Sequence, residues 1–314
     1  MDPHANPRAD RRRPALLSPD NSACDTPGME QDAVDELVGL LDLEDIEVNI
    51  FRGLSPDIDL QRVFGGQVAG QALVAASRTV EAERHIHSLH AYFLRPGDPT
   101  TPIVYEVDRQ RDGRSFTTRR VVAIQHGRPI FNLSASFHIP ESGYDHQFEM
   151  PGGIPEPESL DDFRTRWAPY REKMGDWYDR PRAIDTRYLD WKPADRARPL
   201  PPRHRVWVRA NGVLPDEPVL HACILTYLSD MTLLDTTLLP HASTFQNPEI
   251  QMASLDHAMW FHRPFRADEW LLYDQDTPTA SQGRGLARGS IFTKDGALAV
   301  SVVQEGLIRK AASQ

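Results

Sequence analysis

Between Pro129 and Ile139 the chain reads PIFNLSASFHI, with Phe131, Leu133, Ala135 and Phe137 alternating against Asn132, Ser134 and Ser136. A period of two predicts a strand with one face on a core. PIVYEVDRQ and SFTTRRVVAIQ alternate in the same way, and the turns RDGR and QHGR have the short glycine-containing form of hairpins. Successive hairpins predict an antiparallel sheet. Upstream, DAVDELVGLLDLEDIEVNIFRG predicts a short amphipathic helix, then a strand with Ile46, Val48 and Ile50 on one apolar face. VFGGQVAGQALVAASRTV predicts a helix of small residues, with Gly66 and Gly70 on one face among Ala69, Ala72, Ala75 and Ala76. A glycine inside a helix costs about 1 kcal/mol relative to alanine, and close packing against a sheet is the expected compensation.

The same order recurs in the second half. HAYFLRPGD from His90 is echoed by HAMWFHRPF from His257, with one extra residue before the second RP. A hairpin follows each, QHGRPIFNLSASF and TKDGALAVSVVQE, and aligning Gly127 with Gly296 sets Ala135 opposite Gln304. Two helix-on-antiparallel-sheet units in one chain predict an α+β architecture. The stretch between them is dense in proline, charge and aromatics, as in MPGGIPEPESL and WKPADRARPLPPR. The expected organisation is an N-terminal extension over 1–30, a first unit over 31–140, a linker over 141–203 and a second unit over 204–314. The extension is expected to be disordered, with Met29 opening the ordered protein.

In the second half HACILTYLSDMTLL, from His221 to Leu234, reads as an apolar helix with one carboxylate, Asp230, in its middle. Burying a charge costs several kcal/mol unless something pairs with it or uses it. Helix cap, ion-pair partner and catalytic group are all open for Asp230, and Ser229 and Thr232 are further cap candidates.

Composition narrows the function classes. Net charge is −10, which argues against a nucleic-acid partner. No run of apolar residues approaches the roughly 20 of a membrane span. The two cysteines, Cys24 and Cys223, lie in a tail and an apolar helix, a usage that fits a reducing compartment and builds no disulfide or metal framework. The start, rich in Pro, Asp and Arg, lacks the hydrophobic stretch of a secretory signal, and RKAASQ is not a peroxisomal tripeptide, so the expected compartment is the cytoplasm. No G-x-S-x-G elbow is present, and GRGLARG at Gly283 lacks a Walker lysine, so it is read as a turn leading into a strand.

VFGGQVAGQALVAA, HSLHAYFLRPGD, RDGRSFTTRRVVAIQ, ANGVLPD, LSDMTLL, DHAMWFHRPF and VQEG together resemble the type II acyl-CoA thioesterases, the TesB-like family, from about Asp32 to Arg309. The resemblance implies a double hotdog: two antiparallel sheets, each wrapped around a long helix, fused in one chain. It implies hydrolysis of acyl-CoA to free acid and CoA without metal or organic cofactor. It also implies that water is held by Asp230, Ser254 and Gln304, with Ser254 standing where relatives often carry Thr. The family precedent, with the exposed outer sheet faces, implies a homo-oligomer. No CoA-contacting residue is assigned.

The chemistry needs such groups. A thioester carbonyl is a good electrophile and its thiolate leaves readily, but neutral water is a poor nucleophile. A carboxylate accepts its proton while neighbouring polar groups hold its oxygen in line. Alternative functions are a hotdog enoyl-CoA hydratase and a non-catalytic acyl-CoA-binding protein. Asp256–His257 imitates a dyad, but strand neighbours point to opposite faces, so Asp256 is expected to share Ser254's face and His257 to pack. His87 and His90 are expected off the site, with a minor substrate contact open for His87. The arginines of RSFTTRR are candidates for CoA phosphates.

Overall fold

The computed structural model describes residues 27–56 and 61–310. The expected extension over 1–30 falls mostly outside these residues, but its last residues open helix α1 (Pro27–Leu41). The first half continues with β1 (Glu44–Glu47), β2 (Ile50–Gly53), α2 (Gly65–Ser77), β3 (His85–Phe93), β4 (Ile103–Asp112), β5 (Phe116–Gln125) and β6 (Arg128–His138). Short helical turns follow between Pro157 and Ala197. The second half contains β7 (Ile184–Tyr188), β8 (Arg203–Ala210), α3 (Pro218–Ser229), β9 (Ile250–Ser254), β10 (Asp256–Phe261), β11 (Leu271–Ser281), β12 (Arg284–Thr293) and β13 (Leu298–Lys310).

These strands form one antiparallel sheet in the order β1-β2-β4-β5-β6-β3-β10-β13-β12-β11-β8-β7, with β9 also on β13. The halves join edge to edge where β3 pairs with β10. This is the double hotdog, with α2 and α3 as its two core helices. Strand β7 arises inside the stretch expected to be linker and pairs with β8.

Backbone equivalences fix how the halves correspond. Leu94 and Arg95 both donate to Ile130 O, and His262 and Arg263 both donate to Ala299 O. The register that follows sets Ala135 opposite Gln304, as the hairpin alignment gives, and Ile86 opposite Ser254. The HA echo is out of step by one residue. His257 pairs with Ala91 and is buried, whereas His90 is exposed, because the extra residue before the second RP flips the face in a period-two strand.

Two local expectations are corrected. Ile46, Val48 and Ile50 do not share a strand: β1 and β2 form a hairpin turning at Val48–Asn49, where Asn49 takes φ 62°. Asparagine tolerates that left-handed conformation, and Ile46 and Val48 are left exposed. The glycines of α2 face α3, not the sheet. A Cβ on Gly66 would stand 2.2 Å from Tyr227 O, and one on Gly70 would stand 3.3 Å from Cys223 O. The helices therefore run antiparallel in backbone contact, while α2 also packs on β4, β5 and β6. Taken together, α3 and the separate 3-10 turns at Leu234–His241 that follow Asp230 make a stretch of 24 residues apolar enough to cross a membrane, but 78% of its most apolar window is buried inside the fold.

Candidate active site

Asp230 does not sit in mid-helix. It is the residue on which α3 ends, with φ −83° and ψ −6°. A helix C-terminus presents free carbonyls and no free amides, so a carboxylate there has nothing to cap and faces the negative end of its own helix. Neighbours hold that end in place. Ser229 Oγ donates to Thr226 O at 2.9 Å and lies 2.8 Å from His257 Nε2, while Tyr273 Oη donates to Ser229 O at 3.1 Å. The antiparallel helix pair brings Asp230 to the start of α2. A Cβ on Gly65 would lie 2.6 Å from Asp230 Oδ2 and 2.8 Å from the Phe93 ring. Only glycine leaves the carboxylate this room.

Ser254 reaches the same corner through a β-bulge. It pairs with Gly306, whereas Ala258 pairs with Val303. Between them Leu255 N donates to Glu305 O and Glu305 N donates to Asp256 Oδ1 at 2.7 Å, so two residues oppose one. The inserted residue turns Ser254 to the inner face, three positions from the equally inward His257. Asp256 does not share that face, contrary to the alternation argument; its carboxylate satisfies the bulge amide. His257 packs at 1% exposure, and burial pushes its imidazole down to about 4.

Gln304 completes the group from β13. Its Nε2 donates to Asp230 Oδ1 at 2.6 Å and to Ser254 Oγ at 2.9 Å, and Ser254 Oγ donates to Asp230 Oδ1 at 3.3 Å. Both amide protons are thus spent on the other two members, and the ring of contacts closes. All three sequence candidates meet. Burial pushes the Asp230 carboxyl up to about 6, against the lowering effects of Gln304, Ser254, the Gly66 amide and the nearby Arg62 charge. Desolvation wins.

The comparisons fall on this arrangement. A family profile described as acyl-CoA thioesterase matches residues 190–307, and one described as acyl-CoA thioesterase N-terminal domain matches 54–138. The chain is 42% identical to human acyl-coenzyme A thioesterase 8 over 282 residues, covering 86% of this chain and 88% of the relative. It is 41% identical to acyl-CoA thioesterase 2 of Haemophilus influenzae, covering 88% of this chain and 98% of the relative. The chain belongs to the acyl-CoA thioesterase family. It is a hydrolase acting on acyl-CoA thioesters. The structure of acyl-CoA thioesterase II TesB2 from Mycobacterium marinum superposes with a TM-score of 0.73 at 47% identity, covering 89% of this chain and 99% of that one. A hotdog protein from Alicyclobacillus acidocaldarius, 18% identical with a TM-score of 0.70 over 87% of this chain and 97% of its own, shares the fold.

Several features of the thioesterase site escape sequence reasoning. Gly66 reads as a packing glycine and Gly65 is assigned no role, although their place beside a second helix end is what admits Asp230. Arg62, whose guanidinium donates to Met252 O at 3.0 Å, carries no sequence signal for its nearness to Asp230. Of the arginines in RSFTTRR, Arg119 is unavailable to CoA. It is 2% exposed and donates to Thr79 Oγ1 and Asp112 Oδ1. His87 bonds Ser136 Oγ at 2.8 Å, and His90 packs edge-on against Trp260. Among the described residues no group of three or more His, Cys, Asp or Glu side chains is placed to hold a metal.

Proposed function

We propose that this thioesterase hydrolyses acyl-CoA by direct attack of a water held at Asp230, Ser254 and Gln304. The carrying observation is the closed three-way contact around a desolvated carboxylate, with Gln304 Nε2 2.6 Å from Asp230 Oδ1. Asp230 takes a proton from water as the water oxygen bonds to the thioester carbon. Ser254 and Gln304 fix the carboxylate, and Gln304 Oε1, which has no other partner, is left to accept a hydrogen bond from the water's second proton and hold its oxygen in line. The tetrahedral oxyanion then re-forms its carbonyl and expels the CoA thiolate, which receives the proton from Asp230; free acid and CoA leave.

The first turn of α2 supplies the donors for the oxyanion. The Gly66 amide is engaged by Asp230, but the other amides of this first turn have no intrahelical partner, and the positive end of the dipole points at the same corner. General-base catalysis contributes roughly 10²–10⁴-fold, so Asp230→Asn is expected to lower thiol release by that factor while remaining folded. Turnover at the wild-type rate in this variant would end the assignment. An enoyl-CoA hydratase would instead consume the enoyl absorbance without releasing thiol, and a non-catalytic binder would saturate with acyl-CoA and form no product.

The same reading extends to assembly and compartment. Tyr92 and Leu94, 58% and 45% exposed, offer apolar area for a second copy, and light scattering at the mass of one chain would remove that expectation. Cytoplasm remains the proposed compartment, supported by the buried free thiol of Cys223. Fractionation of the expressing cell tests it.

A further inference from the structure

The fold builds the Asp230 corner twice. Strand β3 carries the same one-residue register shift between Ile86 and Ser88 that the second half carries at Leu255. Where α2 begins at Gly65 beside Phe93, α3 begins at Pro218 near Phe261. A cavity of about 850 Å³ opens there, its apolar side lined by Ile86, Val219, Ala222, Phe261 and Phe265 and its polar side by histidines and by charges of both signs, Asp216, Glu269 and Asp295 among them. Its size lies within the range of small-molecule sites.

The hydrolytic groups are missing from this copy. Ile86 stands in the place of Ser254 and Ala135 in that of Gln304. Helix α2 ends in Ser77–Arg78 where α3 ends in Ser229–Asp230. Arg78 turns away to Leu43 O and Asp42. What this copy offers is the cavity and one unpaired donor. His221, in the first turn of α3, lines the cavity and is 2% exposed. Its Nδ1 accepts from Ala267 N at 3.1 Å, so its Nε2 carries the proton, and that donor has no partner.

We propose that this second corner is a non-hydrolysing site for an acyl chain with a polar head, either the acyl-CoA substrate or its free-acid product. The inference rests on the acyl-CoA reading of the first corner, whose architecture it repeats. The apolar lining carries the binding. Arg263, Arg266 and Lys294 on the rim are already ion-paired with Asp145, Asp268 and Glu156, and so provide no dedicated phosphate cradle.

Calorimetric titration of the full chain tests this, with Asp230→Asn as background. The probes are dodecyl-CoA thioether, which cannot be hydrolysed, and laurate. Two equivalents of the thioether per chain are expected, falling to one when Val219→Trp or Phe265→Glu is added. Val219→Trp alone should release thiol from lauroyl-CoA within twofold of wild type, which shows that the variant is folded. If laurate fills the Val219-sensitive site the ligand is the product; if only the thioether does, it is the substrate. A single equivalent of each probe in the Asp230→Asn background, with none of it sensitive to Val219→Trp, overturns the proposal. So do two equivalents that survive both pocket substitutions. Loss of the function reading is a separate result, namely wild-type chain that releases no thiol.

Discussion

Asp230 is held in a state that favours reaction over stability. Its carboxyl is raised from 3.8 to about 6, chiefly by desolvation, so it is ionised near neutral pH yet remains a better base than an exposed aspartate. If Asp230 is the base, kcat/KM should fall tenfold per pH unit below about 6 and level off above it. A limb near pH 4, or no limb at all, in a thiol-release profile would separate Asp230 from the proton transfer. Stability follows the opposite sign. A carboxyl with a raised folded-state pKa binds its proton more tightly when folded, so the chain loses stability as pH rises from about 4 through about 6. A shift of this size corresponds to at most about 3 kcal/mol, and the partial exposure of Asp230 reduces it to about 1–2 kcal/mol. Asp230→Asn removes that penalty and should melt a few degrees higher at pH 7, with the gain vanishing near pH 4. An Asn variant that melts lower at pH 7 would mean the ionised carboxylate is a net stabiliser.

At the scale of elements, the site depends on where α2 begins and where α3 and β9 end. Gly66→Ala places a methyl 2.2 Å from Tyr227 O and 2.5 Å from the Phe64 ring, and the first of these is backbone that cannot rotate clear. Overpacking of this kind costs about 1–3 kcal/mol, and the helices must separate just where Asp230 meets the Gly66 amide. Thermal melts should show lower stability and thiol-release assays a lower rate; an alanine variant with both unchanged would mean the helix contact is looser than this geometry. The period-two and period-four patterns made the strands, hairpins and small-residue helix legible from residues alone. The His126–Gly127 turn has two positive φ angles, as its QHGR sequence suggested. What could not be read was which surface the glycines approach, since a glycine states that something is close without saying what. The bulge was equally hidden. Nothing in SLDH marks Leu255 as an extra residue, because its register is set by β13, some fifty positions away.

The whole molecule makes its site from both halves. Asp230, Ser254 and Gln304 come from the second, but Gly65, Gly66 and Phe93, which border the carboxylate, come from the first. The trio was legible through family resemblance; the contribution of the first half was not, because it exists only once α2 and α3 lie antiparallel. The halves are also joined by backbone, with β3 paired to β10, and α1 reaches across through Gln31 to the main chain of Val213. A half expressed alone would expose the β3 or β10 edge and the apolar helix face that its partner covers, the kind of surface that pairs with other chains. Residues 31–140 and 141–314, expressed separately, are therefore expected to aggregate and to release no thiol, and co-expression should restore a soluble, active complex. Thiol release by 141–314 alone would show that α2 supplies nothing the reaction needs, and with it the placement of the oxyanion donors in the first turn of α2 would be withdrawn.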